Sequence, residues 1–252
     1  MMHGEGERPA PGGGAPTYAM LTAEARRQAA LPRPAARSRR EADVRRVPWW
    51  RVRTLRRMSG LSVLVPAALY TVLVLVVYGL VGSAALAPQA LLTLVVSLAL
   101  VVFGAVRLRG RGGASARALA RAACAPGPVV RRYALLYDPP WGGIALLAVF
   151  PADGGDGVRP EAVLQLRPLP LPARRFLGAR KLPADVPVEP FGELELCGRT
   201  DASPAGVPWI DGQAYWPERS YGAGDFETEQ GRALMDRLSA GDGDDRWSPS
   251  RP

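Results

Sequence analysis

From Ser59 to Val106 the chain carries no Asp, Glu, Lys, Arg or His. A helix needs about 20 apolar residues to cross a hydrocarbon layer about 30 Å thick, so this stretch has room for two crossings and a turn. The first crossing reads Leu61 to Val81 and the second Gln89 to Val106, both dense in Leu and Val. Between them a run of small residues from Gly82 closes on Pro88, a residue suited to the first turn of a helix. Each Leu or Val favours insertion by about 0.3–0.6 kcal/mol, and no charge offsets the sum. Pro66 lies one turn into the first span, where a membrane helix tolerates it more readily than a soluble one does. A hydrophobic hairpin buried in a soluble protein is a competing reading, but covering it would take a large amphipathic remainder. A cleaved signal peptide fits poorly. Ala85-Leu86-Ala87 has the small residues of a cleavage site, yet the basic region before it is long and Pro88 would follow the cut.

Charge is divided as sharply as hydropathy. Residues 1–57 hold 13 Arg against 5 acidic residues, and residues 107–132 hold 7 Arg against none. Residues 133–252 are net acidic, with 12 basic and 18 acidic groups. Both flanks of the apolar stretch are basic and the connecting turn is uncharged, which predicts a multi-pass protein of the plasma membrane with both termini cytoplasmic. Trp49 and Trp50, with Arg51, Arg53, Arg56 and Arg57 on one flank and Arg107 and Arg109 on the other, form the predicted membrane interface. Indole rings settle at headgroup level, and each basic group near anionic lipid contributes about 1 kcal/mol. A plain stop-transfer cluster explains the same arginines and is compatible with that role. Lys181 is the only Lys, a bias that a GC-rich coding sequence imposes, so abundant Arg is weak grounds for phosphate recognition.

The remaining chain reads in segments. Residues 1–47, opening in Gly and Pro, are predicted to be a disordered basic tail, with at most a marginal helix over Thr22 to Leu31. No aromatic interleaves the Arg37–Arg46 cluster, so nucleic acid is not an expected partner. Residues 48–58 are the interfacial anchor, 59–82 and 89–107 the two transmembrane helices, 83–88 a short external turn, and 108–127 a glycine-broken basic linker with a short surface helix over Ala116 to Cys124. Alternation then takes over. Val129–Tyr137, Ile144–Phe150, Glu161–Arg167 and Phe191–Cys197 read as strands. Asp211-Gly212 between two apolar runs is a strong hairpin signal, because both turn positions need positive φ. That turn sets Trp209 opposite Ala214 and Val207 opposite Trp216, while Pro208 marks an edge strand. The expected fold class is membrane α + β: a two-helix transmembrane hairpin, then a small antiparallel β-barrel or sandwich over 128–222, forming a cytoplasmic β-domain. A long crossover fills Pro168 to Pro190. Residues 223–252 are a short helix, Phe226 to Leu238 capped by Asp225, and a disordered tail.

No P-loop, dinucleotide glycine pattern, nucleophile elbow or zincin helix is present. His3 is the only histidine, and Cys124 and Cys197 have no ligand-like neighbours in sequence. No cofactor and no metal is expected. Glu193, Glu195, Asp201, Asp211 and Glu218 lie close in sequence, but strand alternation and turns are where solvated acids belong. Trp209 and Trp216 either fill the core of the β-domain or form a partner surface. The expected function is a non-enzymatic, membrane-anchored interaction, scaffold or regulatory module. Its expected partners are a bilayer with anionic headgroups, an unidentified protein and a second copy of the chain. The alternatives are a membrane-bound enzyme working through the β-domain and an accessory subunit of a transporter or channel.

Overall fold

The computed structural model describes residues 16–30, 41–81, 88–138, 144–166, 189–198 and 206–239. The uncharged turn before Pro88, most of the Pro168–Pro190 crossover, the final tail and much of the N-terminal tail lie outside them. Six helices are described: α1 (Tyr18–Ala30), α2 (Arg53–Ser59), α3 (Leu61–Val81), α4 (Pro88–Arg109), α5 (Arg111–Ala123) and α6 (Glu229–Ser239). Seven strands accompany them: β1 (Val129–Asp138), β2 (Ile144–Pro151), β3 (Ala162–Leu166), β4 (Phe191–Cys197), β5 (Val207–Ile210), β6 (Gln213–Ala214) and β7 (Pro217–Gly222). They form one open antiparallel sheet in the order β6-β5-β4-β1-β2-β3-β7, neither a closed barrel nor a sandwich. The described residues fall into two compact units, one within Met1–Ala36, Val130–Glu193 and Glu218–Pro252, the other within Arg37–Val129 and Leu194–Pro217.

In the first unit β1 and β2 pair along their length, Leu135 opposite Leu147, and β3 adds to β2 with Leu164 opposite Leu147. Their apolar runs are nearly unbroken and buried on both faces, as expected of strands with no solvated side. One face carries Ala134, Leu136, Leu146, Ala148, Phe150 and Val163, covered by Leu21 and Ala25 of α1 and by Leu234 and Met235 of α6. The tail is therefore not disordered throughout. Tyr18 and Ala19 donate their N–H groups to the Val158 and Asp156 carbonyls at 2.9 and 3.0 Å, and the Tyr18 ring meets Phe150 edge-on at 4.9 Å. Gln28 accepts the Tyr137 N–H at 2.8 Å. These tertiary contacts stabilise a helix that is marginal on its own. At the other terminus α6 starts later than expected. Thr228 caps it, its hydroxyl accepting the Gly231 N–H at 3.1 Å, while Asp225 accepts the Gly222 N–H ahead of a short 3-10 turn. β7, absent from the sequence reading, is polar and opens on proline, the composition of an exposed sheet edge.

The second unit holds the apolar helices. α3 and α4 are long and apolar enough to cross a membrane. They pack antiparallel: a Cβ on Gly104 would come within 2.8 Å of Leu64 Cβ, and Thr71 donates to Ser97 at 3.0 Å. The close-packing residue is thus Gly104. Gly79, in contrast, has open space around it. Pro66 sits inside α3 without ending it.

Around the base of these helices Val52, which precedes α2, and Leu55 and Met58 of α2 are buried with Ala116, Leu119, Ala120 and Ala123 of α5, and Val207, Trp209 and Trp216 complete that core. The short helix expected over Ala116 to Cys124 is present but longer, beginning at Arg111 after a break at Gly110. Its glycines allow close approach, because a Cβ on Gly112 would meet the Met58 carbonyl at 2.6 Å. Gly60 joins α2 to α3 at φ 86°, with Arg107 against it.

The Asp211-Gly212 turn has φ of 51° and 71°, and Trp209 faces Ala214 as expected. Val207 and Trp216 do not pair: β6 stops at Ala214, and the Tyr215 N–H bonds the Pro208 carbonyl at 2.9 Å. β5 is not an edge strand either, since it lies between β4 and β6 and Pro208 joins through its carbonyl. Gly212→Val should cost about 1 kcal/mol or more, because a β-branched residue resists positive φ. Chemical denaturation of the full chain checks this, and an unchanged midpoint would rule out the strained turn.

Candidate functional site

A cleft of about 590 Å³ lies at the base of the apolar hairpin. Its walls follow from how α2 and α5 bury their apolar faces. With Val52, Leu55 and Met58 turned inward, helical spacing forces Arg53 and Arg56 outward; on α5, burial of Ala116, Leu119 and Ala120 turns Arg117 out. Arg51, Arg56 and Arg117 consequently line the cleft. Trp49 and Trp50, packed edge-to-face at 6.0 Å, form one side. Leu61 and Val65 of α3 and Leu108 of α4 form the apolar side.

No carboxylate lines the cleft. The described residues give Arg51, Arg56 and Arg117 no ion-pair partner, and all three are exposed. Three like charges turned to one hollow beside an apolar wall make a site for an anion with an apolar portion.

What holds α2 in place is Glu41, a residue inside the stretch read as tail. One carboxylate oxygen accepts from the Thr54 N–H at 2.9 Å and its hydroxyl at 2.7 Å, satisfying a free donor of the first turn of α2. The other accepts from the Trp216 indole at 2.8 Å. Glu41 thereby ties the cationic helix to the aromatic core.

Of the expected interface residues, the structure brings Trp49, Trp50, Arg51 and Arg56 together in the cleft. Arg53 and Arg109 are exposed outside it, Arg57 is half-buried on α2, and Arg107 donates to the Met58 carbonyl at 3.3 Å. Trp209 and Trp216 are 3% and 6% exposed and lie in the core beside α2 and α5. Arg45 lies over the Trp209 ring at 3.8 Å, within 3.2 Å of the Cys197 sulfur and 3.6 Å of Glu195. The acidic residues do not gather into a site: Glu193 is exposed, Glu195 pairs with Arg45, Asp211 forms the turn, and Glu218 is exposed. Asp201 lies outside the described residues. Among the described residues no three His, Cys, Asp or Glu side chains group as a metal site.

No family model, curated protein or solved structure matches this chain. Arg117 is the lining cation that the sequence reading did not single out. The signal for it was present in the Ala116, Leu119, Ala120, Ala123 spacing, which makes α5 amphipathic and fixes the direction of Arg117.

Proposed function

We propose that this chain is a non-enzymatic membrane protein anchored by α3 and α4 as a two-span hairpin. In this reading both termini are cytoplasmic, the Arg- and Trp-lined base lies at headgroup level, and the sheet and its flanking helices serve as an interaction module. One observation carries the proposal: only 6% and 11% of the two apolar windows is buried. A core helix of a soluble protein would be mostly covered, whereas Leu69 is 67% and Leu80 82% exposed. Surface of that extent and composition is stable in hydrocarbon and unstable in water. The base, in contrast, carries Arg51, Arg53, Arg56, Arg107 and Arg109. Because α3 and α4 are antiparallel, both basic flanks emerge at that same end, the charge distribution that keeps them on the cytoplasmic side.

Reporters fused before Met1 and after Pro252 should both be active only in the cytoplasm. An external signal from either terminus would overturn the two-span topology. Release of the chain from membranes by alkaline carbonate would overturn anchoring itself.

A further inference from the structure

We infer that the cleft between α2, α5 and the base of the hairpin holds one anionic phospholipid, its phosphate on Arg51, Arg56 and Arg117 and its acyl portion along Leu61, Val65 and Leu108. The inference rests on the membrane reading above and adds to it a discrete site in place of a diffuse basic surface. Charge supplies the first argument. The lining includes three guanidinium groups and no acid, and the described residues provide no internal counter-ion. Their mutual repulsion is relieved by a bound anion, and guanidinium forks match the geometry of phosphate oxygens.

The apolar wall supplies the second argument and selects the occupant. Val65, which lines the cleft, is 50% exposed, and Leu69, one turn further along the same face of α3, is 67% exposed, so the apolar wall continues into the uncovered surface of α3. A free phosphate leaves that wall wet. A phosphopeptide does not need an apolar track continuous with a membrane-length helix. A phospholipid uses both parts, and its headgroup and chains meet where the arginines give way to the hairpin. Trp49 and Trp50 at the side of the cleft suit the same boundary, where amphipathic indole rings settle.

The test uses the full chain purified in neutral detergent, with native mass spectrometry reading the lipid that each chain retains. Phosphatidylglycerol and phosphatidylcholine are offered at equal concentration, and inorganic phosphate is titrated in a separate arm. One phosphatidylglycerol per chain should be retained, and equimolar phosphate should not displace it. At about fivefold per guanidinium, the Arg51→Gln, Arg56→Gln, Arg117→Gln variant should bind roughly a hundredfold more weakly. A control with Arg111→Gln, Arg121→Gln and Arg159→Gln loses the same net charge outside the cleft and should stay within about threefold of the parent. If the first variant does not fold, Arg56→Gln alone, expected about fivefold weaker, carries the comparison. Equal losses in cleft and control variants would make the surface diffuse and overturn the site. Displacement by inorganic phosphate would assign the cleft to a free anion and overturn the lipid. Carbonate extraction of the same proteins separates the two claims: a chain that remains in membranes but retains no phosphatidylglycerol defeats this inference and leaves anchoring intact.

Discussion

Trp209→Ala should destabilise the full-length protein by about 3–5 kcal/mol, the range for truncating a large aromatic in a close-packed core. Trp209 is 3% exposed and packs with Val52, Leu55, Leu119 and Trp216 in the core that joins α2, α5 and β5. Its loss leaves a cavity that short helices tied at both ends fill poorly. It also removes the ring beneath the Arg45 guanidinium, a contact of about 0.5–1 kcal/mol where solvent reaches one side. Denaturant titration followed by near-ultraviolet circular dichroism gives the measurement. A loss below about 1 kcal/mol would show that the indole is peripheral and reopen the partner-surface reading. The same substitution should also weaken lipid retention in the cleft, because the core it opens is the one that orients α2.

Leu21→Asp is expected to be the second large lesion. Leu21 is 1% exposed beneath β1–β3, so the change removes a buried aliphatic and sets a carboxylate where the surrounding core is apolar. Cavity formation alone costs about 2–5 kcal/mol, and an unpaired buried charge adds several more unless it takes up a proton. Against a total of about 5–15 kcal/mol for a typical domain, the first unit should lose cooperative unfolding, and limited proteolysis should cut within it. A parent-like unfolding curve would mean that α1 does not contribute to the core. Such a result would restore the predicted disordered tail.

The same residues explain what could be read early. The two long apolar helices follow from the missing charges between Ser59 and Val106, since a stretch without ionisable groups over that length has few other forms. The Asp211-Gly212 turn was legible because few residue pairs adopt positive φ at two successive positions. Four strands announced themselves by alternation or by continuous apolar runs. β7 did not, because an edge strand is kept polar and carries proline for reasons that also hide it. The candidate cleft was half visible. Trp49, Trp50, Arg51 and Arg56 stand out as a cluster, but Arg117 joins them only across a helix–helix contact.

Local composition and spacing specify where the chain is too apolar to remain in water, where it must turn, and where basic groups collect. Long-range packing settles that the marginal N-terminal helix holds from Tyr18 to Ala30, that the helix after α4 begins already at Arg111, and that Trp209 and Trp216 face inward. Each of these depends on partners distant in the chain. α1 is held by β1, β2 and the β2–β3 loop, α5 by α2 and β5, and α2 by Glu41, which also reaches Trp216. A helix of thirteen residues or fewer gains too little from its own hydrogen bonds to offset the cost of nucleation, so its existence is settled by what covers it.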